Sequence, residues 1–107
     1  MSHILLSNIE QREVVPGYFA RFVHTENMTL SYFEIRAGAE MPEHSHHSEQ
    51  VSNVIKGEFE LNVEGTVYKL KPDSVVKIPS NARHSGKALT DCYIIDAFYP
   101  VREDYRN

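Results

Sequence analysis

The sequence lacks the features that mark several large classes of protein. It contains one cysteine, Cys92, which excludes an intrachain disulfide framework and fits a reducing compartment. The apolar stretch ILL at 4–6 is far too short for a membrane span or a signal segment. We therefore expect a cytoplasmic protein without membrane contacts, in which Cys92 is a small core or interface residue rather than a nucleophile.

Basic charge is also scarce. Lysine and arginine number 11 against 15 aspartate and glutamate residues, which gives a formal net charge of -4. A nucleic-acid surface needs a clustered basic face. Lys69 and Lys71 flank Leu70, in the pattern of a solvated strand face rather than a binding patch. The sequence therefore predicts no nucleic-acid partner.

Short strands dominate the predicted organisation. The 107 residues suffice for one domain and not for two, so we expect a single domain over 1–107. Capping-box spacing at Ser7 to Glu10 predicts one short N-terminal helix. The predicted strands are YFARFVH and MTLSYFEIR as a hairpin, FELNV, VYKL, VVKI and CYIIDAFY. Many short strands separated by turns indicate an all-β sandwich or barrel.

Histidines are concentrated in the segment EHSHHSEQ at 43–50. His44 and His46 are spaced i and i+2, so on an extended chain they face one side, and imidazole nitrogen suits a first-row divalent ion. On a straight strand at about 3.3 Å per residue, Gln50 would lie roughly 20 Å from His44, too far to share an ion. The chain must therefore bend, and a second strand offers either Glu49 or Gln50.

A further ligand is expected from a distant segment. IPSNARH at 78–84 ends a predicted strand, passes through a polar turn and reaches His84. An isolated histidine of this kind is usually a solvated loop residue. The pair at 44 and 46 between strands, combined with a histidine after another strand, favours a metal site over that interpretation.

These residues carry a resemblance to the cupin family. The first cupin motif is similar to Gly38, His44, His46, Gln50 and Gly57 in this chain, and the second to PDSVVKIPSNARH at 72–84, with Pro79 and His84 in register. Asp73 stands where the family commonly has glycine, and aspartate tolerates a left-handed turn better than most residues. The resemblance implies an all-β cupin double-stranded β-helix, a jelly-roll barrel with a short N-terminal extension and a motif core of about 30–100.

A narrower resemblance concerns the small KdgF-type cupins of pectin and alginate breakdown. EQVSNVIKGEFE at 49–60 and DAFYPVRED at 96–104 are similar to that family, which converts 4,5-unsaturated monouronates to linear ketonised sugars. The resemblance implies one divalent transition metal, of nickel, zinc, iron or manganese, on His44, His46, Gln50 and His84. It also implies catalytic roles for Asp96, Phe98 and Arg102. HHSEQ departs from the family's HPHEQ at His47 and Ser48.

Asp96 is chemically anomalous in its own strand. Alternation in CYIIDAFY places Ile94, Asp96 and Phe98 on one face. The other face is also mostly apolar, so we expect the strand to be covered on both sides. An ionised carboxylate in such a place costs several kcal/mol unless a cation or donors compensate it. We expect Asp96 to act as general acid and base and Arg102 to hold a substrate carboxylate. The alternative is a turn cap or a structural pair with an arginine.

The predicted function is metal-dependent ring opening and ketonisation of unsaturated monouronates, with a small anionic sugar as substrate. Neutral imidazoles and a neutral amide leave a divalent ion its full charge, which favours such a substrate over oxygenase chemistry. The alternatives are another metal-dependent cupin enzyme, such as a dioxygenase or sugar isomerase, and a non-catalytic small-molecule-binding cupin. YFARFVH and CYIIDAFY are candidate surfaces of a homodimer. His3 and His24 have no partner in sequence and no predicted role.

Overall fold

The computed structural model describes residues 2–106, which form β-strands joined by short connections. The strands are β1 (Arg12–Val15), β2 (Tyr18–His24), β3 (Thr29–Ile35), β4 (Glu40–His44), β5 (Glu49–Lys56), β6 (Phe59–Val63), β7 (Thr66–Leu70), β8 (Val75–Ile78), β9 (His84–Ala88) and β10 (Cys92–Tyr99). Two 3₁₀ helices, Leu6–Asn8 and Glu103–Tyr105, lie outside them. None of the helices among residues 2–106 has the length and apolar character needed to cross a membrane.

The strands form two antiparallel sheets whose inner faces enclose the core. The larger sheet has the order β1-β2-β3-β10-β5-β8, and the smaller has the order β4-β9-β6-β7. Buried apolar side chains from both sheets, including Phe33, Ile78 and Leu61, pack between them. Cys92 is 4% exposed and belongs to the same core. The all-β jelly-roll architecture expected from the sequence is confirmed.

Local sequence patterns explain how the strands turn. Phe59 and Leu61 are buried on β6, as alternation predicts. Glu64 and Gly65 then have φ of 49° and 86°, the left-handed pair that a two-residue hairpin turn requires. Asp73 also has a positive φ, 82°, so aspartate replaces the family's usual glycine without loss of the turn.

The N-terminal helix differs from its prediction. A single 3₁₀ turn spans Leu6–Asn8, and Leu5 precedes it without a side-chain cap. Ser7 lies inside the turn, so the predicted capping box is wrong. Three residues without an apolar stripe cannot offset the cost of helix nucleation, and the segment therefore forms no α-helix.

The expectation that β10 is covered on both faces is wrong. Its inner residues are buried in alternation, but Tyr93, Ile95 and Ala97 are only half-buried and Tyr99 is 56% exposed. The smaller sheet covers one face of the larger sheet, whereas residues 2–106 cover the outer face of β10 only in part. Alternation in the sequence could not distinguish these cases, because both faces of the strand are apolar.

Candidate metal centre and active site

Three histidines from separate segments meet at one end of the barrel. His44 ends β4 and His84 begins β9, and the two are register partners across that strand pair. His46 lies in the loop that leads into β5. One nitrogen from each ring lies within 4.8 Å of the others. The distant histidine and the HxH pair are thus brought together, as the sequence predicted.

Backbone carbonyls orient all three rings in the same way. The Nδ1 atoms of His44, His46 and His84 donate to the carbonyls of Pro42, Ser48 and Ala82, at 2.8, 2.7 and 2.9 Å. A proton on Nδ1 leaves the Nε2 lone pair available, which is the tautomer a metal requires. The Nε2 of His84 is buried and has no hydrogen-bond partner. These rings are therefore prepared to coordinate an ion.

Gln50 completes the donor set. Its Nε2 donates to Ser52 Oγ at 3.0 Å, which turns its Oε1 toward His46 Nε2 at 3.1 Å. With the His46 proton on Nδ1, this contact places two lone pairs face to face, an arrangement that a cation between them would stabilise. Glu49 and His47 are exposed, and neither belongs to the group of side chains that could hold an ion. The side chains present fit one divalent ion bound by three imidazoles and an amide oxygen.

Burial keeps the histidines in the form that binds metal. Desolvation lowers the pKa of His84 to about 4, and the charges of nearby groups act in the same direction. Desolvation also lowers the pKa of His46, with a further contribution from the positive charge of Arg102. Because ligating imidazole must be neutral, both rings are ready to coordinate at neutral pH.

Asp96 lies in the middle of β10 on its inner face. It is 6% exposed, and its register partners on the two neighbouring strands are Ser31 and Ser52. Burial raises the pKa of Asp96 to about 6, although hydrogen bonds from Ser52 and Gln50 and the charge of Arg102 act to lower it. Its Oδ1 is buried without a partner. This mid-strand position is neither a turn cap nor a direct ion pair.

Arg102 follows β10 and returns to the cavity instead of extending into solvent. Its backbone amide donates to Thr29 Oγ1 at 2.9 Å. The guanidinium lies over the rings of both Phe98 and Tyr105, 4.9 and 4.2 Å from their centroids, and the two rings contact each other edge-on. Its Nε and Nη2 donate to the two carboxylate oxygens of Asp104 at 3.0 and 2.7 Å. One edge of the guanidinium is thus already engaged by a carboxylate.

Phe98 connects the arginine to the histidine cluster. Its ring meets the His46 ring edge-on at 5.5 Å and supports the Arg102 guanidinium on another side. Tyr105 and Asp104, which contact Arg102, were not predicted. Their position depends on the short 3₁₀ helix Glu103–Tyr105, and no residue pattern in the sequence marks it.

Ser48, one of the two positions at which HHSEQ differs from HPHEQ, has a structural role. Ser48 is 4% exposed, and its hydroxyl donates to the Pro100 carbonyl at 2.6 Å. This bond ties the loop that carries His46 to the segment that leads to Arg102. His47 remains on the surface. His24 lies apart from the cluster, where its ring contacts Thr29 Oγ1 at 2.9 Å.

A cavity of about 50 Å³ joins these groups. Its lining includes three of the four expected metal-binding side chains and all three residues expected to be catalytic, together with Tyr18 and Tyr105. The expected site residues on its wall are His44, Gln50, His84, Asp96, Phe98 and Arg102.

The cupin domain family model matches residues 31–98. The chain belongs to the cupin family. The matched segment agrees with the motif core of about 30–100 expected from the sequence. It contains the three histidines, Gln50 and Asp96, and it ends before Arg102.

Solved structures extend the similarity to the whole fold. KdgF from Halomonas sp. has a TM-score of 0.92 and 28% identity, covering 99% of both chains. An RmlC-like cupin from Shewanella frigidimarina has a TM-score of 0.91 and 27% identity, covering 96% of this chain and 94% of that one. The predicted resemblance to KdgF-type cupins is confirmed at the level of structure.

A curated relative points to another cupin activity. The 5-nitrosalicylic acid 1,2-dioxygenase of Bradyrhizobium sp. is 35% identical over 57 residues, or 53% of this chain. The chain spans 28% of the length of that enzyme. Part of this sequence is therefore shared with a dioxygenase.

Proposed function

We propose that this cupin catalyses the metal-dependent ring opening and ketonisation of 4,5-unsaturated monouronates to linear keto-uronates, in pectin or alginate catabolism. The observation that carries the proposal is the convergence, in one cavity, of a neutral metal donor set, a buried carboxyl group with a pKa of about 6, and an arginine. Similarity to KdgF over 99% of the chain supports it.

His44, His46, Gln50 and His84 would hold one divalent ion of nickel, zinc, iron or manganese. When bound, that ion supplies a Lewis acid that polarises a substrate oxygen. The four ligands are uncharged, so the site retains a double positive charge. This charge favours an anionic, oxygen-rich substrate such as a uronate.

Asp96 is suited to the proton transfers of this reaction. Ring opening removes a proton from the anomeric hydroxyl and breaks the ring carbon–oxygen bond. The enolate that results becomes a ketone when the adjacent carbon takes up that proton. The reaction is an isomerisation, so one group can remove and return the proton. A carboxyl group with a pKa of about 6 serves as base and then acid near neutral pH.

Arg102 would bind the substrate carboxylate. Asp104 occupies the edge formed by Nε and Nη2, so the substrate meets the other edge of the guanidinium. The rings of Phe98 and Tyr105 hold the guanidinium in place, and Phe98 also forms the wall between it and His46. Binding therefore needs little reorganisation of the arginine.

The direct test is turnover of unsaturated galacturonate and unsaturated mannuronate, followed as loss of absorbance of the conjugated enol. We expect turnover by metal-loaded protein and none after chelation. Asp96→Asn and His84→Ala should each lower kcat/KM by at least about 100-fold. His47→Ala is the matched control, because His47 is exposed and outside the cluster. Full activity in Asp96→Asn protein would contradict the assigned proton transfer.

A second candidate is a ring-cleaving dioxygenase. The match to 5-nitrosalicylic acid 1,2-dioxygenase, 35% identical over 57 residues, favours it. Oxygen uptake by iron-loaded protein with salicylate-type substrates would support this activity. Turnover of unsaturated uronates without oxygen uptake would instead support the ring-opening reaction.

We further propose that the protein is a cytoplasmic homodimer. The uncovered face of the larger sheet presents the apolar side chains of Tyr93, Ile95 and Tyr99, which a second copy could cover. The single free cysteine is compatible with a reducing compartment.

A further inference from the structure

Tyr18 places inside the barrel a hydroxyl group whose proton has no acceptor among the residues that the structure describes. Tyr18 begins β2, is 3% exposed, and packs edge-on against Phe33 at 6.0 Å between centroids. Its hydroxyl oxygen is buried. The backbone amide of Met41 is directed at this oxygen and acts to lower the pKa of the phenol, but no acceptor among residues 2–106 pairs the hydroxyl proton. Buried tyrosine hydroxyls ordinarily find a partner, because an unpaired polar group in the interior is costly. A phenylalanine would fill the same apolar space without that cost.

Tyr18 lines the cavity of the candidate site together with His84 and Asp96, and its hydroxyl oxygen is enclosed by protein atoms. It extends from the larger sheet to Gly86 on β9, where an added Cβ would lie 3.4 Å from the hydroxyl and 2.4 Å from Phe59. Gly86 is two residues beyond His84, a step of roughly 6.6 Å along a strand. The phenol is therefore deeper in the barrel than the histidine cluster.

Two other buried polar atoms of the cavity wall also lack partners, His84 Nε2 and Asp96 Oδ1. Metal coordination would give His84 Nε2 its partner, and the proposed proton transfer would use Asp96 Oδ1. Neither accounts for Tyr18. Burial raises the pKa of Tyr18 well above its ordinary value, and Cys92 and Asp96 act in the same direction. The phenol consequently keeps its proton at neutral pH and can donate it in a hydrogen bond.

The size of the cavity defines what can reach this donor. The volume open to the centres of water-sized spheres is about 50 Å³, more than the roughly 10–15 Å³ that one water needs on the same measure. A ligand that enters past His44 and Arg102 therefore meets the phenol with its leading end. A ligand that offers an oxygen at its leading end pairs the phenol, and one that offers a methyl or methylene group leaves it unpaired.

We propose that the Tyr18 hydroxyl donates a hydrogen bond to an oxygen of the bound sugar acid and thereby selects for ligands oxygenated at the end that enters the barrel. This assignment rests on the proposed uronate substrate and adds a specificity-determining residue to it. Sites that hydrogen-bond a substrate oxygen reject analogues without that oxygen far more strongly than apolar pockets reject an extra methylene.

The test compares Tyr18→Phe with Tyr93→Phe, whose hydroxyl lies on the half-buried outer face of β10. For Tyr18→Phe we expect kcat/KM on unsaturated uronates to fall at least about tenfold, with unchanged or higher thermal stability. Tyr93→Phe should retain wild-type kcat/KM. Wild-type kcat/KM in Tyr18→Phe protein would overturn the inference and leave an ordered water as the partner of the phenol.

Binding measurements keep this test separate from that of the proposed function. If the wild-type protein turns over no uronate, the proposed activity fails, and calorimetry with galacturonate on metal-loaded protein then tests Tyr18 alone. Weaker binding by about tenfold or more in Tyr18→Phe, with no change in Tyr93→Phe, supports the inference. Equal binding by both variants, or no binding by the wild type, overturns it.

Discussion

Gln50 on β5 lies directly opposite Phe98 on β10, and two residues along the same strands Ser52 lies opposite Asp96. A single hydrogen-bonded strand pair therefore sets the distance between the amide expected to bind metal and the carboxyl expected to move protons. Sites built on adjacent strands hold their groups more firmly than sites built on loops. The amide and the carboxyl are thus fixed by backbone structure before any ligand arrives.

The buried carboxyl of Asp96 should make the stability of the metal-free protein depend on pH. Its pKa is raised from an unfolded value near 4 to about 6. The ionised form therefore destabilises the fold, with no penalty below pH 4, a growing penalty between 4 and 6, and the full penalty above 6. A rise in pKa from about 4 to about 6 corresponds to about 3 kcal/mol in the free energy of unfolding. Asp96→Asn should raise the free energy of unfolding at pH 8 by an amount of that order.

At pH 4 the same substitution should change stability little, because the wild-type carboxyl is already protonated in both states. Denaturant titrations of chelated protein at pH 4 and pH 8 measure both effects. A gain that is equal at the two pH values would show that Asp96 is not ionised at a cost in the native state.

Metal content should depend on His84 and not on His47. We expect one divalent ion per wild-type chain, measured by elemental analysis after dialysis, and a large loss in His84→Ala protein. His47→Ala should retain the ion, because its ring is exposed and outside the cluster. At a free metal concentration of 100 times Kd, binding should stabilise the fold by about 2.7 kcal/mol. Equal metal content in the two variants would contradict the assignment.

Asp104 should contribute to stability through Arg102. The arginine side chain is 10% exposed and Asp104 is 62% exposed, so solvent weakens the pair. We expect Asp104→Asn to cost about 1 kcal/mol at pH 7, measured by denaturant titration. Glu26→Gln, in the exposed β2–β3 turn, is the matched control.

The pH dependence of this pair has a defined sign. The Arg102 guanidinium lowers the pKa of Asp104 below its usual value. An acid whose pKa is lowered by folding stabilises the native state above its unfolded pKa near 4, and that contribution disappears as the pH falls through the folded value. The difference between Asp104→Asn and wild type should therefore vanish in strong acid. A difference that persists there would assign the effect to packing.

The uncovered face of β10 should mediate self-association. Ile95 is half-buried at the centre of this face, so Ile95→Glu should produce a monomer if the wild type is a dimer, as light scattering after gel filtration would show. Lys69→Glu, on the exposed strand β7 of the other sheet, controls for the change in charge. A wild-type monomer, or a dimer that survives Ile95→Glu, would rule out this face.

Much of the fold could be predicted because its signals are local or fixed in spacing. Alternation identified β6 and β10, and the Glu64–Gly65 turn followed from its residue types. The segment from Gly38 to Gly57, together with PDSVVKIPSNARH, indicated which barrel these strands form. The three histidines followed from the same motifs, since the barrel brings the end of β4 to the start of β9.

Other features of the fold and the site could not be predicted, because they depend on contacts between residues that are distant in the sequence. Tyr18 reads as an ordinary core aromatic, and only the folded chain shows that it lines the same cavity as Asp96. Asp104 reads as a solvated acid, yet it engages Arg102 through a turn that no sequence pattern marks. Strand alternation likewise shows that both faces of β10 are mostly apolar, but not which of them the folded chain covers.

The positions of the four expected ligands have a mechanical consequence. His44 and His84 belong to the smaller sheet and Gln50 to the larger one, and these sheets share no ladder of backbone hydrogen bonds. An ion held by all of them would act as a cross-link that closes the open end of the sandwich. Its removal should then speed amide hydrogen exchange in β4 and the loop after it, while the central strand β10 stays protected.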